Sequence, residues 1–380
     1  MTLMVRDEAD IIAPMIDHHL SQGVDLIIAT DNGSVDGTAE ILEGYAAEGR
    51  VVLLHDPVHR KQQGVVVTQM ARDAASKYGA DWVLNADADE FWLPRLPGRT
   101  LHDVFSEIDP GIRSFLVNVI DMTGPPALVG TGLQRLVYQD LRTVEEMNAV
   151  GLHAHSTPNA VHVGDPNVSV VQGNHLVSIG SQGAPPPELE IEVLHFPWRS
   201  WDQFSRKVDN SGRAYLNSSG LKPSPNHHGM RDFHRLQDGT LYASYLFRHP
   251  TPEELTAGLA TGSFALERRI ADAIVSPVAD VAVDAEQSTH ERAFGKVISG
   301  LEFQIRNLNS GLSDKTELTI ELSDRISVLT EEIASLTRQL AESAAASAHI
   351  QELYDALHNR KVVRAVDQVA EAISKHRPRR

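Results

Sequence analysis

The sequence contains no cysteine, so neither a disulfide bond nor a thiolate metal site can contribute to this protein. That absence fits a reducing compartment, and we expect a cytoplasmic location. No run of about 18 apolar residues occurs, and no charged-then-apolar leader opens the chain, so we predict neither a membrane span nor a signal peptide. Basic residues are also scarce. The 34 Lys and Arg residues face 51 Asp and Glu residues, and the net charge of -17 argues against general nucleic-acid binding.

The remaining composition is that of a globular protein. The chain has 380 residues, of which 42% are hydrophobic, and this length suffices for about two domains. It opens at Met1 inside a short apolar run that reads as a strand, so we expect the natural start to lie upstream.

The first hundred residues alternate between strand and helix patterns. Short apolar runs predict strands at 2–5, 25–29, 51–54 and 82–84. Between them, apolar residues at helical spacing predict helices over 11–20, from about 38 to 45, and over 66–78. Strands separated by helices predict a parallel sheet with right-handed crossovers.

Polar residues stand where three of these strands end. Arg6-Asp7-Glu8 follows the first strand, Asp31-Asn32-Gly33 ends the second, and Asp87-Ala88-Asp89 follows the last. In a parallel sheet these ends share one edge and open on one crevice. Carboxylate oxygens suit Mg²⁺ or Mn²⁺, which proteins often hold together with substrate phosphates. Each set alone is equally an ordinary turn or helix cap, but three at corresponding positions favour a binding site.

These motifs together resemble a known family. Arg6-Asp7-Glu8-Ala9-Asp10, His18-His19-Leu20, the turn from Asp31 to Thr38, and Asp87-Ala88-Asp89-Glu90-Phe91 look like family 2 glycosyltransferases of GT-A fold. The subgroup with an Asp-x-Asp-Glu-Phe motif is the most similar. The resemblance covers residues 1 to about 100 and continues more weakly to about 250.

The resemblance implies a nucleotide-sugar donor, most simply a UDP-sugar with dTDP- and GDP-sugars left open, and a divalent cation, Mn²⁺ or Mg²⁺. Asp31, beside Asn32, would contact the base or ribose. Asp87 would contact the ribose or the metal-bound diphosphate, and Asp89 would bind the metal. Arg6 and Glu8 would belong to the same nucleotide site.

A second block at 195–207 extends the resemblance. His195 ends a predicted strand over 191–194, and Arg199 and Lys207 follow it, the latter on a predicted helix from 201 to about 214. In the family this histidine is a third metal ligand, and the basic residues bind the leaving diphosphate, whose charge needs stabilisation. The alternatives are a hydrogen-bonded core histidine and a solvated helix face.

An inverting transfer needs a general base for the acceptor hydroxyl. Four residues qualify by type: His175, Asp140, Glu145 and Glu192. We favour His175 because it follows Gly173-Asn174 in a predicted loop. A structural or surface histidine is the alternative.

The last third carries no chemical motif. Residues 256–300 are helix-compatible and interrupted by Pro277, which predicts a helical linker. A heptad repeat then runs over 301–357 and predicts a coiled coil that joins copies of the chain. Its two sets of core positions are Leu301, Leu308, Lys315, Leu322, Leu329 and Leu336, and Ile305, Leu312, Thr319, Ile326, Ile333 and Leu340. A helix packed on the catalytic domain is the alternative.

Residues 358–380 form a basic tail with an apolar stripe. Such an amphipathic helix can lie on an anionic membrane surface, here the inner face, although a solvated helix end is equally compatible. The basic residues are Arg360, Lys361, Arg364, Lys375, Arg377, Arg379 and Arg380.

The sequence therefore predicts an α/β protein: a GT-A-like domain over 1–255, with a mostly parallel sheet flanked by helices, then a linker, a coiled coil and a basic tail. We expect a metal-dependent, inverting glycosyltransferase acting on a glycan or lipid-linked acceptor, as in cell-wall or polysaccharide synthesis. One rival is a non-catalytic nucleotide-sugar-binding scaffold working through its coiled coil. Another is a nucleotidyltransferase, but the glycine-rich basic loop typical of those enzymes is missing after the first strand.

Overall fold

The structure is a computed structural model that describes residues 1–58, 62–152, 154–218, 228–358 and 361–375. The chain forms two compact units, Met1–Phe303 and Gln304–Arg380. All the predicted site residues belong to the first unit.

The first unit begins with four parallel strands. They are β1 (Thr2–Val5), β2 (Ile27–Asp31), β3 (Val51–His55) and β4 (Trp82–Ala86), in the spatial order β4-β1-β2-β3. The connecting helices are α1 (Ile12–Ser21), α2 (Thr38–Ala47) and α3 (Gln63–Tyr78). Side chains on both faces of β1 and β2 are buried, which explains why these strands read as continuous apolar runs. The alternation seen in the sequence thus predicts this part of the sheet correctly.

The rest of the sheet is largely antiparallel, so the sheet is mixed rather than mostly parallel as predicted. Its further strands are β5 (Glu90–Pro94), β6 (Ser114–Thr123), β8 (Tyr138–Asp140), β9 (Asn159–Val163), β10 (Ile191–His195) and β11 (Phe264–Leu266), and β7 (Ala127–Val129) lies outside it. Strand β9 inserts antiparallel between β4 and β6, and β8 and β11 extend that edge. The three-residue strands β7 and β8 are too short to show a periodicity, and polar residues interrupt the apolar pattern of β9.

Strand β10 positions the candidate site. It runs parallel to β6 and antiparallel to β5, and His195 at its end is registered with Glu90 on one side and Asp121 on the other. The strand is held by packing on the main core, where Phe91, Trp92 and Phe196 are almost fully buried. Residues distant in sequence therefore meet directly beside the Asp-x-Asp motif.

Helices complete the first unit. They are α4 (Leu101–Glu107), α5 (Val144–Ala149), α6 (Trp201–Leu216), α7 (His228–Gln237), α8 (Leu241–Arg248), α9 (Pro252–Thr261) and α10 (Arg269–Ala273). Ser200 caps the N-terminus of helix α6, and its side chain accepts the Gln203 N–H at 3.3 Å. Two short 3-10 turns cover Pro110–Ile112 and Pro187–Leu189.

The predicted linker over 256–300 does not stand apart from the first unit. Strand β11 pairs with β8 in the main sheet, and β12 (Val281–Ala282) pairs with β7. Helical spacing in the sequence cannot reveal such short strands, because their pairing partners lie more than a hundred residues away.

The second unit is helical. Helix α11 (Ala285–His358) continues into it without a break, and α12 (Lys361–Lys375) follows. The apolar heptad side chains of α11 are exposed, for example Leu308 at 68% and Leu340 at 73%. No helix in the described residues is long and apolar enough to cross a membrane. Of the predicted basic tail, Arg360, Arg377, Arg379 and Arg380 lie outside the described residues.

Candidate active site

The three polar strand ends lie on one edge of the sheet. Val5 is in register with Asp31, and Leu3 with Ala86, so the residues that follow β1 and β4 flank the end of β2. This is the convergence that the parallel order predicts.

Asp89 is the most enclosed carboxylate at this edge. Its side chain is 2% exposed, and its Oδ2 accepts a hydrogen bond from the Lys207 ammonium. His195 Nε2 lies 3.6 Å from the same oxygen and Arg199 Nη1 lies 3.7 Å away. Burial alone would raise the pKa of Asp89, but these cations outweigh it and hold the pKa well below its usual range. Asp89 is therefore ionised and surrounded by positive charge.

Arg199 is fully buried, and it binds the loop after β1. Its guanidinium donates to both carboxylate oxygens of Asp10, at 2.8 and 3.0 Å, and to Glu8. Burial raises the pKa of Glu8 to about 7, although the attraction of Arg199 opposes the rise. Both residues were predicted to bind the nucleotide. In the structure they are paired with each other, and this pairing fixes the loop beside Asp89.

His195 is held between two carboxylates. Its Nδ1 lies 2.8 Å from Oδ1 of Asp121 and 3.1 Å from the Ser156 hydroxyl, so its Nε2 faces Asp89. Burial disfavours the charged ring, but Asp89 and Asp121 outweigh it and raise the pKa of His195 to about 10. A carboxylate that orients a histidine in this way is the usual outer partner of a metal-binding imidazole.

Asp121 was not predicted as a site residue, although a signal was present. It directly follows a largely apolar segment at 115–120, just as Asp31 ends its own strand. Burial raises its pKa, but hydrogen bonds from His155 and His195 outweigh this and hold the pKa below its usual range. Treating every strand-end carboxylate alike would have included it.

Asp87 lies beside Asp89 but is bound differently. Its Oδ1 accepts hydrogen bonds from Gln63 at 2.8 Å and from Asn174 at 3.2 Å. Burial and the negative charge of Asp89 raise its pKa. Its backbone N–H donates to Glu90 at 3.0 Å, and Glu90 has a pKa raised to about 8, chiefly by burial. The acidic turn is thus a buried network rather than a solvated surface loop.

One of the four candidate bases lies near this network. His175 follows Asn174, which adopts a left-handed φ of 63° and donates to Asp87, and the charge of His175 is felt at Asp87. The other three have different surroundings. Asp140 pairs with Arg142 at 2.6 Å, Glu192 pairs with Arg269, and Glu145 is exposed on α5.

Asp31 is satisfied by its own turn. Its carboxylate accepts the backbone N–H groups of Gly33 at 3.1 Å and Ser34 at 3.2 Å, and its side chain is buried. Asn32 donates from its side-chain amide to two backbone carbonyls, those of Asp56 at 2.7 Å and Val58 at 2.9 Å. The contacts of Asp31 are local, whereas those of Asn32 attach the turn to the segment after β3.

A cavity of about 170 Å³ opens beside this turn. Arg6, Asn32 and Gln63 line it from the sheet edge, and Asn210 lines it from α6. Arg6 also donates to the carbonyl of Asn32. Asp7 has a left-handed φ of 55°, a conformation uncommon for a side-chain-bearing residue, and accepts hydrogen bonds from Val35 N–H and Asn210. The larger cavity of about 650 Å³, between α1, β5 and α10, contains none of the predicted site residues.

Two histidines of α1 hold the strand that follows the acidic motif. His18 Nε2 lies 2.8 Å from the Trp92 carbonyl, and the Trp92 N–H donates to His19 Nε2 at 3.1 Å. His19 Nδ1 lies 2.8 Å from the Met15 carbonyl. Burial lowers the pKa of His18 to about 4, so the His18 ring is neutral and its Nε2–H donates to the Trp92 carbonyl. Among the described residues β5 pairs with β10 alone, and the two histidines bind its other edge.

The residue types at this edge fit a divalent cation. Two carboxylates and an imidazole are acceptable ligands for Mn²⁺, and Asp89 and His195 approach within 3.6 Å of each other. Within the described ranges, however, no three His, Asp or Glu side chains gather around one point. The Lys207 ammonium lies there instead, and its charge acts on Glu8, Asp87 and Asp89.

Comparison with known proteins gives one family match. The sequence model described as glycosyltransferase family 92 matches residues 2–117, under a third of the chain. This segment contains β1 to β4, the Asp31 turn and the Asp-x-Asp motif. The match supports a glycosyltransferase but not the family 2 subgroup expected from the motifs. None of the curated proteins matches the chain.

Solved structures give weak similarities. The crystal structure of S. aureus TarS is 11% identical, with 74% of this chain and 60% of that chain covered and a TM-score of 0.31. TarS 1–349 with UDP is 12% identical, with 69% and 87% covered and a TM-score of 0.28. The complex with UDP-GlcNAc is 13% identical, with 68% and 75% covered and a TM-score of 0.29. The chain covers less than two thirds of the full TarS chain, and these scores are too low to assign a fold. The family match over residues 2–117 is therefore what links this chain to glycosyltransferases.

Proposed function

We propose that this protein is a GT-A-type glycosyltransferase that moves a sugar from a nucleotide-diphosphate sugar, most simply a UDP-sugar, to a glycan or lipid-linked acceptor. One observation carries the proposal. The carboxylates behind β4 lie in the segment that matches a glycosyltransferase family, and they meet His195 and Lys207 at the crevice edge.

The donor would lie along this edge. The cavity beside Arg6 and Asn32 would take the nucleoside, with Asp31 within reach of the base or ribose. Asp87 and Asp89 would then face the diphosphate. Departure of the nucleoside diphosphate leaves negative charge on its oxygens, and the Lys207 ammonium is placed to stabilise it.

The charge balance of the cluster favours a cation cofactor. Six carboxyl groups (Glu8, Asp10, Asp87, Asp89, Glu90 and Asp121) share three cationic side chains, Arg199, Lys207 and His195. Burial raises the pKa of Glu8, Asp87 and Glu90, and a bound cation would favour their ionised forms. A diphosphate adds further negative charge to a buried, low-dielectric site. Bound Mn²⁺ or Mg²⁺ would act as a Lewis acid on the diphosphate. It would be held by Asp89 with help from Asp87, and by His195 after its ring has released a proton to solvent.

For the acceptor, His175 is the candidate base of an inverting displacement. Of the four candidates, it is the one next to Asn174, which donates a hydrogen bond to Asp87. Its imidazole would take the proton from the acceptor hydroxyl as the sugar transfers.

The experiment is a donor panel with the full chain. UDP-, dTDP- and GDP-sugars are incubated with protein and Mn²⁺ or Mg²⁺, and released nucleoside diphosphate is detected, with an EDTA control. We expect metal-dependent release from one nucleotide class and none from Asp89→Ala of unchanged circular dichroism. Calorimetry with UDP and Mn²⁺ gives a second reading, since a mere scaffold would show no metal-dependent binding. Absence of both turnover and binding would end the proposal.

We further propose that α11 associates with copies of itself as a coiled coil. Its apolar heptad side chains are exposed in the single chain, including Ile326 at 64% and Ile333 at 64%. Ile at one core position with Leu at the other favours two parallel strands. Light scattering should give a dimer mass for the full chain and a monomer mass for the double variant Ile326→Glu, Ile333→Glu.

The basic tail is proposed to contact an anionic membrane at the cytoplasmic face. Val362, Val366 and Val369 form an exposed stripe on α12. Co-sedimentation with phosphatidylserine vesicles should fall when residues 358–380 are deleted, and no binding by the intact chain would refute the contact.

A further inference from the structure

Lys207, the lysine that donates a hydrogen bond to Asp89, has an unusual position. Lys207 projects from the second turn of α6 into the strand edge, and its ammonium donates to Asp89 Oδ2. Burial raises the pKa of Glu8 and of Asp87, and the same charge opposes that rise at both residues. The ammonium therefore lies where carboxylates from two strand ends converge, which is the place that a bound cation would take.

The two partners differ sharply in exposure. Asp89 is 2% exposed, so it cannot leave the cluster without unfolding the turn. The Lys207 side chain is 41% exposed and has four flexible bonds, so it can rotate away once a cation has taken its place beside the buried carboxylate. Arg199 cannot move in this way, because it is fully buried and bound to both oxygens of Asp10.

Resting on the proposed function, we propose that Lys207 is an exchangeable counter-ion: it neutralises Asp89 before the divalent cation binds, and the cation displaces it towards the donor diphosphate. Before exchange the ammonium keeps a buried carboxylate paired. After exchange the same ammonium is a phosphate ligand. Binding of the cation and of the nucleotide diphosphate is coupled through one side chain.

The coupling has a definite sign. In the resting protein the ammonium competes with the cation for Asp89, so removing it should tighten cation binding. Once the cation is bound, the ammonium supports the diphosphate, so removing it should weaken nucleotide binding. A lysine with only a structural role would not move these two affinities in opposite directions.

The test measures binding rather than turnover. Mn²⁺ alone is titrated into the full chain and followed by electron paramagnetic resonance, with Asp89→Asn identifying the Asp89-dependent site. Lys207→Met keeps the side-chain length without the charge, and Lys207→Arg keeps the charge. The matched control is Arg206→Met, because Arg206 is the preceding residue on α6 and pairs with Asp202 and Asp36.

We expect Lys207→Met to bind Mn²⁺ about tenfold more tightly than the unmodified chain, whereas Arg206→Met and Lys207→Arg bind as the unmodified chain does. With saturating Mn²⁺, calorimetry should show UDP binding about tenfold more weakly to Lys207→Met. Equal or weaker Mn²⁺ binding by Lys207→Met overturns the inference, as does an unchanged UDP affinity.

The donor panel separates this inference from the proposed function. Nucleotide release that persists in EDTA, without an Asp89-dependent Mn²⁺ site, leaves the transferase standing and refutes the exchange. The opposite shifts in Mn²⁺ and UDP affinity without release from any donor would leave the exchange standing and remove the transferase.

Discussion

Asp31 and Asp89 occupy similar places, yet they are stabilised by different means. Asp31 ends β2 and Asp89 follows β4, the two parallel strands on either side of β1, and both residues are almost fully buried, at 4% and 2% exposed. Asp31 accepts backbone N–H groups two and three residues further along its own turn. Asp89 instead faces cations from β10 and α6, more than a hundred residues away.

The difference indicates that Asp31 stabilises its turn, whereas Asp89 belongs to a charged cluster suited to a reaction. Two backbone N–H groups of its own turn donate to Asp31, and the ionisable His55 ring lies 3.9 Å from its Oδ2. The Asp89 cluster keeps several ionised groups out of water, which stabilises a fold poorly compared with apolar packing. Such an arrangement is expected where charge must be present for a reaction.

The largest expected effect comes from removing the Asp89 charge. Asp89→Asn should reduce nucleotide-sugar turnover by about 10³-fold, because cation binding and diphosphate stabilisation both depend on this carboxylate. The matched control is Asp73→Asn on the outer face of α3, where the carboxylate pairs with Lys77. Released diphosphate is the readout. Equal activity of Asp89→Asn and Asp73→Asn would show that Asp89 has no role in the reaction, and the proposed difference between Asp89 and Asp31 would be lost.

Acid should loosen the Asp89 side of the sheet. His18 has a folded pKa of about 4, against 6.5 for the free side chain, so between these values the unfolded chain binds the extra proton. Stability is therefore complete above pH 6.5 and falls as the pH is lowered towards 4, by about 3 kcal/mol for His18 alone. Denaturant titrations across this range provide the measurement.

A control variant distinguishes the effect of protonating His18 from other effects of acid on stability. His18→Gln should flatten the pH dependence, while His102→Gln, at an exposed position, should leave it unchanged. Identical pH profiles for all three proteins would show that the histidine contacts with Trp92 do not carry the acid sensitivity.

Asp121 should show an intermediate effect. Asp121→Asn removes the charge that orients His195, and a partner of this kind typically changes metal affinity or activity by about 10–100-fold. Mn²⁺ affinity and turnover should fall together in this variant, while UDP binding without metal stays constant. A fall in thermal stability alone would assign Asp121 to the fold.

The smallest effect is expected at Asp31. Asp31→Ala leaves two N–H groups of the turn without an acceptor and should lower the free energy of unfolding by about 1 kcal/mol. If Asp31 also binds the nucleoside, UDP affinity falls as well, which calorimetry measures. Lost UDP binding at unchanged stability would reverse the comparison between the two aspartates.

The site residues that could be predicted from sequence also divide into local and long-range contacts. The Asp31 turn and the Asp-x-Asp turn are recognisable in sequence because their residues are neighbours. Arg199 was expected to bind phosphate, but the structure shows it bound to Glu8 and Asp10. Asp121 was overlooked, because its role depends on β10 lying between β5 and β6.

The sequence by itself determined the parallel strands β1 to β4, the helices between them, and the placing of acidic residues where those strands end. Apolar periodicity and turn chemistry are local properties, and they specify elements of this length. Only the tertiary structure decided the antiparallel half of the sheet and the pairing of Asp89 with Lys207, Arg199 and His195. Strand pairing and buried charge depend on contacts between distant residues, and no pattern along the chain records which cation will meet which carboxylate.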